Sequence, residues 1–172
     1  MPHALDLLTE LGAETIEHPG GTLLAHLRRT AATLADWGAD EPVRQAGLTH
    51  AAYGTDGFPA ALLGLHERHR LSTAIGQEAE ALVYLYASCD RAYTYRRLPR
   101  FRDRFTGQVV TPSRRALRAF MDITVANELD LLAHSPDLRQ RHGEQLRAWF
   151  ATKVALMSQA AAERCAVFFW TQ

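Results

Sequence analysis

A chain of 172 residues, 47% hydrophobic and 22% charged, is long enough to bury one core without covalent staples. Nineteen basic residues balance nineteen acidic ones, which speaks against a nucleic-acid-binding footprint and against an acidic solvating tail. The two cysteines, Cys89 and Cys165, lie far apart and form no CxxC pair, so a disulfide scaffold and a thiolate zinc site are both disfavoured.

Helical periodicity dominates throughout. The N-terminal run Met1-Pro-His-Ala-Leu-Asp-Leu-Leu lacks the basic and apolar regions of a signal peptide. A short helix is expected from Leu5 to Leu11. After the turn-rich His18-Pro-Gly-Gly, Thr22 is placed to cap a helix carrying Leu23, Leu24, Leu27, Ala31 and Leu34, closed by Gly38 after Trp37. Asp40 caps the next helix, with Glu41 and Pro42 in its first turn, and Tyr53-Gly54 stops it. A turn, Gly54-Thr55-Asp56-Gly57, and a mixed segment from Phe58 to Ser72 follow. One helix is then expected from Gln77 to Tyr95.

Pro99 to Val110 is arginine-rich and irregular and reads as a mobile loop or flap. Thr111-Pro112 opens a long helix to about His134, and Ser135-Pro136 opens the last, which ends in Val167-Phe-Phe-Trp-Thr-Gln. The expected fold is all-α: a single domain over residues 1–172, a compact bundle of about six to eight helices. The aromatic end Phe168-Phe-Trp either closes over the core or meets a second subunit in a homodimer. No segment approaches the ~20 apolar residues of a bilayer span, so a cytoplasmic protein without membrane or nucleic-acid partners is expected.

Three residues of metal-ligand type stand out. His26 shares a stripe with Thr30, Thr33 and Trp37. His50 follows Val43, Ala46 and Gly47 at spacings of seven, four and three, on a face a neighbouring helix can approach. Asp90 follows Val83, Tyr86 and Ala87 at the same spacings, and a carboxylate on an apolar face needs a metal, an arginine or several hydrogen bonds. Two imidazoles and a carboxylate from three helices are one way to hold Mn, Fe or Zn with open coordination positions. The alternative is that each histidine is a hydrogen-bonded core residue and Asp90 pairs with a nearby arginine. His18, from the glycine turn, is either a fourth ligand or a loop residue packed on Pro19. Asn127 and Glu128 interrupt an apolar run, which points to a buried polar group with a structural or a ligand-binding role.

The runs His26-Leu-Arg-Arg-Thr-Ala-Ala-Thr-Leu-Ala-Asp-Trp-Gly, Ala46-Gly-Leu-Thr-His50 and Glu78-Ala-Glu-Ala-Leu-Val to Asp90 resemble the HD superfamily of metal-dependent phosphohydrolases. The nearest flavour is the hydrolase domain of stringent-response (p)ppGpp enzymes. The resemblance implies an HD-like core over about residues 18–95 and a metal set of His26, His50 and Asp90. The pattern departs at Ala51, where the family carries an Asp directly after the second His. It departs again at Gly54-Thr55, where the (p)ppGpp hydrolases carry an acidic pair. Both departures argue against a two-metal site and against (p)ppGpp hydrolysis.

The expected function is a metal-dependent enzyme acting on a small-molecule substrate, most simply a hydrolase of a phosphoester or nucleotide at a mononuclear site. Arg29, one turn beyond His26, and the arginines Arg68, Arg70, Arg91, Arg96 and Arg97 are the groups available to hold phosphate oxygens. Tyr53 could present a phenol as acid, base or donor. Two alternatives stay open: a non-haem Fe(II) oxygenase or lyase of a biosynthetic pathway, and a catalytically inactive HD-like binding module, for which Ala51 is the main argument.

Overall fold

Side-chain caps set most of the helix boundaries. The computed structural model describes residues 2–58 and 60–170. Helix α1 (Pro2–Glu10) leads into a two-residue hairpin, β1 (Glu17–His18) with β2 (Gly21–Thr22). Thr22 accepts the Ala25 N–H and starts α2 (Leu23–Asp36), and Asp40 accepts the Val43 N–H and starts α3 (Glu41–Thr49). Gly38, at φ +72°, makes the left-handed turn between them. Gly47 lets the two helices close together, since a methyl group there would overlap Leu34 Cδ1.

Nine α-helices are present among the described residues, more than the six to eight expected. The mixed segment contains α4 (Arg68–Ile75). The helix expected from Gln77 to Tyr95 is two, α5 (Gln77–Ala87) and α6 (Arg91–Arg97). They separate because Asp90 has extended backbone and its carboxylate accepts the Tyr93 N–H, starting a new helix where the periodicity alone continues the old one. The last segment is likewise divided into α8 (Pro136–Ala151) and α9 (Gln159–Trp170), with Thr171 and Gln172 outside the described residues.

The arginine-rich stretch is no free flap. It forms a hairpin, β3 (Phe101–Arg102) with β4 (Val109–Val110), and Phe101 is sealed in the core.

Helix α7 (Arg114–His134), capped by Ser113, runs through the middle and contacts α2, α3, α5, α8 and α9. It is buried on most of its circumference, so its polar residues Asp122, Asn127 and Glu128 are buried as well. Among the described residues no helix is long and apolar enough to cross a membrane. Cys89 and Cys165 are both buried free thiols.

Candidate functional site

The packing of α2, α3 and α7 brings three polar atoms to one point. His26, in the second turn of α2, is fully buried, and His50, the residue that ends α3, is 2% exposed. Asn127 of α7 is 6% exposed. His26 Nε2 and His50 Nε2 lie 3.4 Å apart. Asn127 Oδ1 stands 3.0 Å from the first and 3.1 Å from the second.

Each of the three is oriented from behind. His26 Nδ1 faces Asp130 Oδ2 at 2.6 Å, and a carboxylate can only accept, so that nitrogen carries the proton. His50 Nδ1 donates to the Gly47 carbonyl at 2.8 Å, which fixes its tautomer in the same sense. Asn127 Nδ2 donates to Glu128 Oε1 at 3.3 Å, which turns the amide oxygen toward the imidazoles. Burial, reinforced by the neighbouring His26, pushes His50 down to about 3, so its ring is neutral near pH 7. With Nδ1 of each ring engaged from behind, both Nε2 atoms and the Asn127 Oδ1 turn toward one point. Such an arrangement is able to accept a cation.

Asp130 anchors the back of the site. Burial alone would raise its pKa, but hydrogen bonds from His26 and from Arg29 hold it down at about 2. Arg29 grips both its oxygens, Nε at 2.6 Å and Nη2 at 2.9 Å, and donates through Nη1 and Nη2 to the Gly20 and Pro19 carbonyls. Arg29 is thus spent on Asp130 and the hairpin turn and holds His26 indirectly. Its expected place at a phosphate is not the one it takes.

The remaining sequence expectations divide. His18 joins the cluster: its ring stacks on His26 at 4.2 Å between centroids, with Phe58 edge-on at 5.3 Å. Its Nδ1 is buried without a hydrogen-bond partner, and burial and the adjacent His26 push the ring down to about 4. Asp90 does not join it. One oxygen caps α6 and the other faces Arg102 Nη1 at 3.5 Å, which removes the need for a metal that its apolar spacing had suggested.

Tyr53 also turns away. Its hydroxyl donates to buried Glu80, which Arg68 holds through two hydrogen bonds, and burial together with Glu80 raises the phenol. Among the described residues no three His, Cys, Asp or Glu side chains are grouped to hold a metal ion; the third converging atom is the Asn127 amide oxygen.

A cavity of about 60 Å³ opens beside the cluster, with His18, His50, Ala51, Phe58, Arg91 and Asn127 in its wall. Ala51 therefore faces the site, and no carboxylate stands at that position. Of the arginines considered, Arg91 reaches this wall; its Nη1 meets Glu128 Oε1 at 3.4 Å. Arg70 pairs with Glu10 and Glu67 on the surface, and Arg97 lies over the Tyr93 ring. Burial raises the Glu128 pKa, against the pull of Arg91 and Asn127.

Residues 7–91 match the family model of DUF6817, a domain of unknown function. The chain is similar to that family over this segment. It carries His18, His26, His50 and Arg91, whereas Asn127, Glu128 and Asp130 lie beyond it. No curated protein and no solved structure matches the chain.

Sequence reasoning singled out Asn127 as a buried polar group but missed Asp130. A signal was present: Asp130 interrupts the apolar run Leu129, Leu131, Leu132 one turn after Asn127, as a residue facing the same partner helix would.

Proposed function

We propose that the protein is a metal-dependent enzyme whose single divalent ion is held by His26 Nε2, His50 Nε2 and Asn127 Oδ1. The observation that carries this reading is the convergence of three acceptor atoms, 3.0–3.4 Å apart, each turned inward by a partner behind it. Atoms sharing one ion at ~2.1 Å stand ~3.0 Å apart at octahedral angles and ~3.4 Å apart at tetrahedral ones. The partners behind them, Asp130 to His26 above all, are the outer shell that metal-bound histidines ordinarily show. His18, stacked on His26 with its Nδ1 unsatisfied, is the candidate fourth donor. Mn, Fe and Zn all suit two imidazoles and an amide oxygen.

When bound, the ion would act as a Lewis acid toward a substrate oxygen and lower the pKa of a coordinated water. The chain's own residues supply the rest. The ~60 Å³ cavity admits a reacting group of a few atoms, against the ~300–1,000 Å³ of a pocket that swallows a whole ligand. Arg91 offers a cation on its wall. We read the reaction as hydrolysis of a phosphoester, with the body of the substrate outside, in the cytoplasm, where free thiols persist. The HD-like pattern of His26 and His50 supports this reading, with Asn127 standing in for the carboxylate that Ala51 lacks.

Elemental analysis of the purified chain, then reconstitution with Mn, Fe or Zn and a phosphoester screen, tests it. We expect one equivalent of metal, lost in His50→Ala, and metal-dependent phosphate release. Iron with oxygen consumption and no hydrolysis would replace the hydrolase with an oxygenase. Stoichiometric metal without turnover would favour a binding module.

A further inference from the structure

A second concavity lies at the far end of α2, away from the histidines. It measures about 690 Å³, within the range of small-molecule sites, and sits between the α2–α3 turn and the first two turns of α7. Trp37 forms one wall, half-buried, and the adjoining Gly38 leaves open space where a side chain would otherwise stand. Arg114, Arg115 and Arg118 of α7 line the concavity as well, together with Asp122 and Ser158.

These groups are not equally committed. Arg115 is held by Asp40 and Glu78, so it ties α7 to the α2–α3 turn and the α5 start and fixes the width of the cleft. Arg114 and Arg118, four apart and on one face of α7, meet no carboxylate at ion-pair distance among the described residues, although Arg118 acts on Asp122, four residues on, through its charge. The Trp37 indole N–H likewise has no acceptor in the chain among the described residues. Asp122 is 7% exposed, and its Oδ1 accepts the Ser158 N–H. Lying four residues on from Arg118, it is an acceptor set below two cations.

The arrangement selects a ligand by parts. A flat indole face suits a planar ring. Two guanidiniums outside any ion pair suit phosphate oxygens, which they can bind through paired N–H groups. The buried Asp122 carboxylate, which already accepts from Ser158, retains acceptor capacity for one more N–H donor, such as an exocyclic amine. We propose that this cleft binds a small heteroaromatic anion of the nucleoside-monophosphate class, at a site separate from the histidine cluster. An acidic peptide would satisfy the arginines but would leave Asp122 buried against like charge.

Isothermal titration with AMP, IMP and inorganic phosphate tests the assignment. AMP is expected to bind, with phosphate alone weaker by at least about tenfold. IMP, which presents a ring carbonyl where AMP has its amine, is expected to lose a similar factor. The surface double variant Arg114→Ser/Arg118→Ser should keep its melting temperature and lose at least about tenfold in AMP affinity. His50→Ala should retain AMP binding, which separates this cleft from the metal site. Equal affinity for AMP and phosphate, no heat with any of the three up to millimolar concentration, or loss of AMP binding in His50→Ala would each overturn the assignment.

Discussion

Replacing Asp130 with asparagine removes one charge from the back of the site while keeping the side chain's shape. Asp130 is 7% exposed at its side chain and accepts from His26 at 2.6 Å and from Arg29 at 2.6 and 2.9 Å. Hydrogen bonds to a charged partner are worth about 1.5–3 kcal/mol each when removed singly. These do not add in full, because Arg29 is 30% exposed and can turn to water. The asparagine also directs an N–H at a donor. A net loss of about 2–3 kcal/mol follows, which lowers the melting temperature by about 4–12 °C in a chain of this size. Metal affinity should drop about 10–100-fold, since His26 loses the group that fixes its tautomer. Urea unfolding of the metal-free protein gives the first number and competitive metal titration the second. Unfolding free energy within about 0.5 kcal/mol of wild type, with affinity unchanged, would refute the orienting role of Asp130.

Acid should unfold the metal-free protein early. The folded pKa of His50 is about 3 against 6.5 in an unfolded chain, so its contribution is complete above pH 6.5 and is lost as the pH falls from 6.5 toward 3. At pH 5 this one residue accounts for ~2 kcal/mol, measurable as the pH dependence of urea midpoints that His50→Gln should flatten. Tyr53→Phe, which removes the hydroxyl held by Glu80, should cost about 1–2 kcal/mol in urea unfolding and leave metal affinity unaltered. Asp90→Ala should cost about 1 kcal/mol by the same assay through the lost cap on α6, again with metal affinity intact; loss of the metal would restore Asp90 as a ligand. Gly47→Ala crowds Leu34 and should destabilise by about 1–3 kcal/mol, read as a lowered urea midpoint.

How far the sequence spoke for this structure differs between its parts. Thr22, Asp40 and Ser135 act locally, each bonding an N–H three residues on, so their helix starts could be read from the chain. His26 and His50 were legible because polar rings on otherwise apolar faces are conspicuous. Asp90 misled because helical spacing is blind to a cap: the residue that best continued an apolar stripe was the one that ended it. Asn127 and Asp130 lie about a hundred residues from His26, and only the path of α7 through the bundle brings them there. No local rule encodes that pairing. The uses of Tyr53 and Arg29 were hidden for the same reason, since Glu80 and Asp130 reach them from other helices.

Cobalt(II) titration of the metal-free chain, followed by visible absorption, tests the central assignment most directly. The account predicts a spectrum that saturates at one equivalent in the wild type, tightens in Asn127→Asp, where the amide oxygen becomes an anionic one, and vanishes in His50→Ala. A second possibility is that a proton on His26, shared with Asn127 Oδ1, holds the three atoms together. In that case cobalt would not bind at one equivalent in either the wild type or Asn127→Asp, and the metal centre would be contradicted.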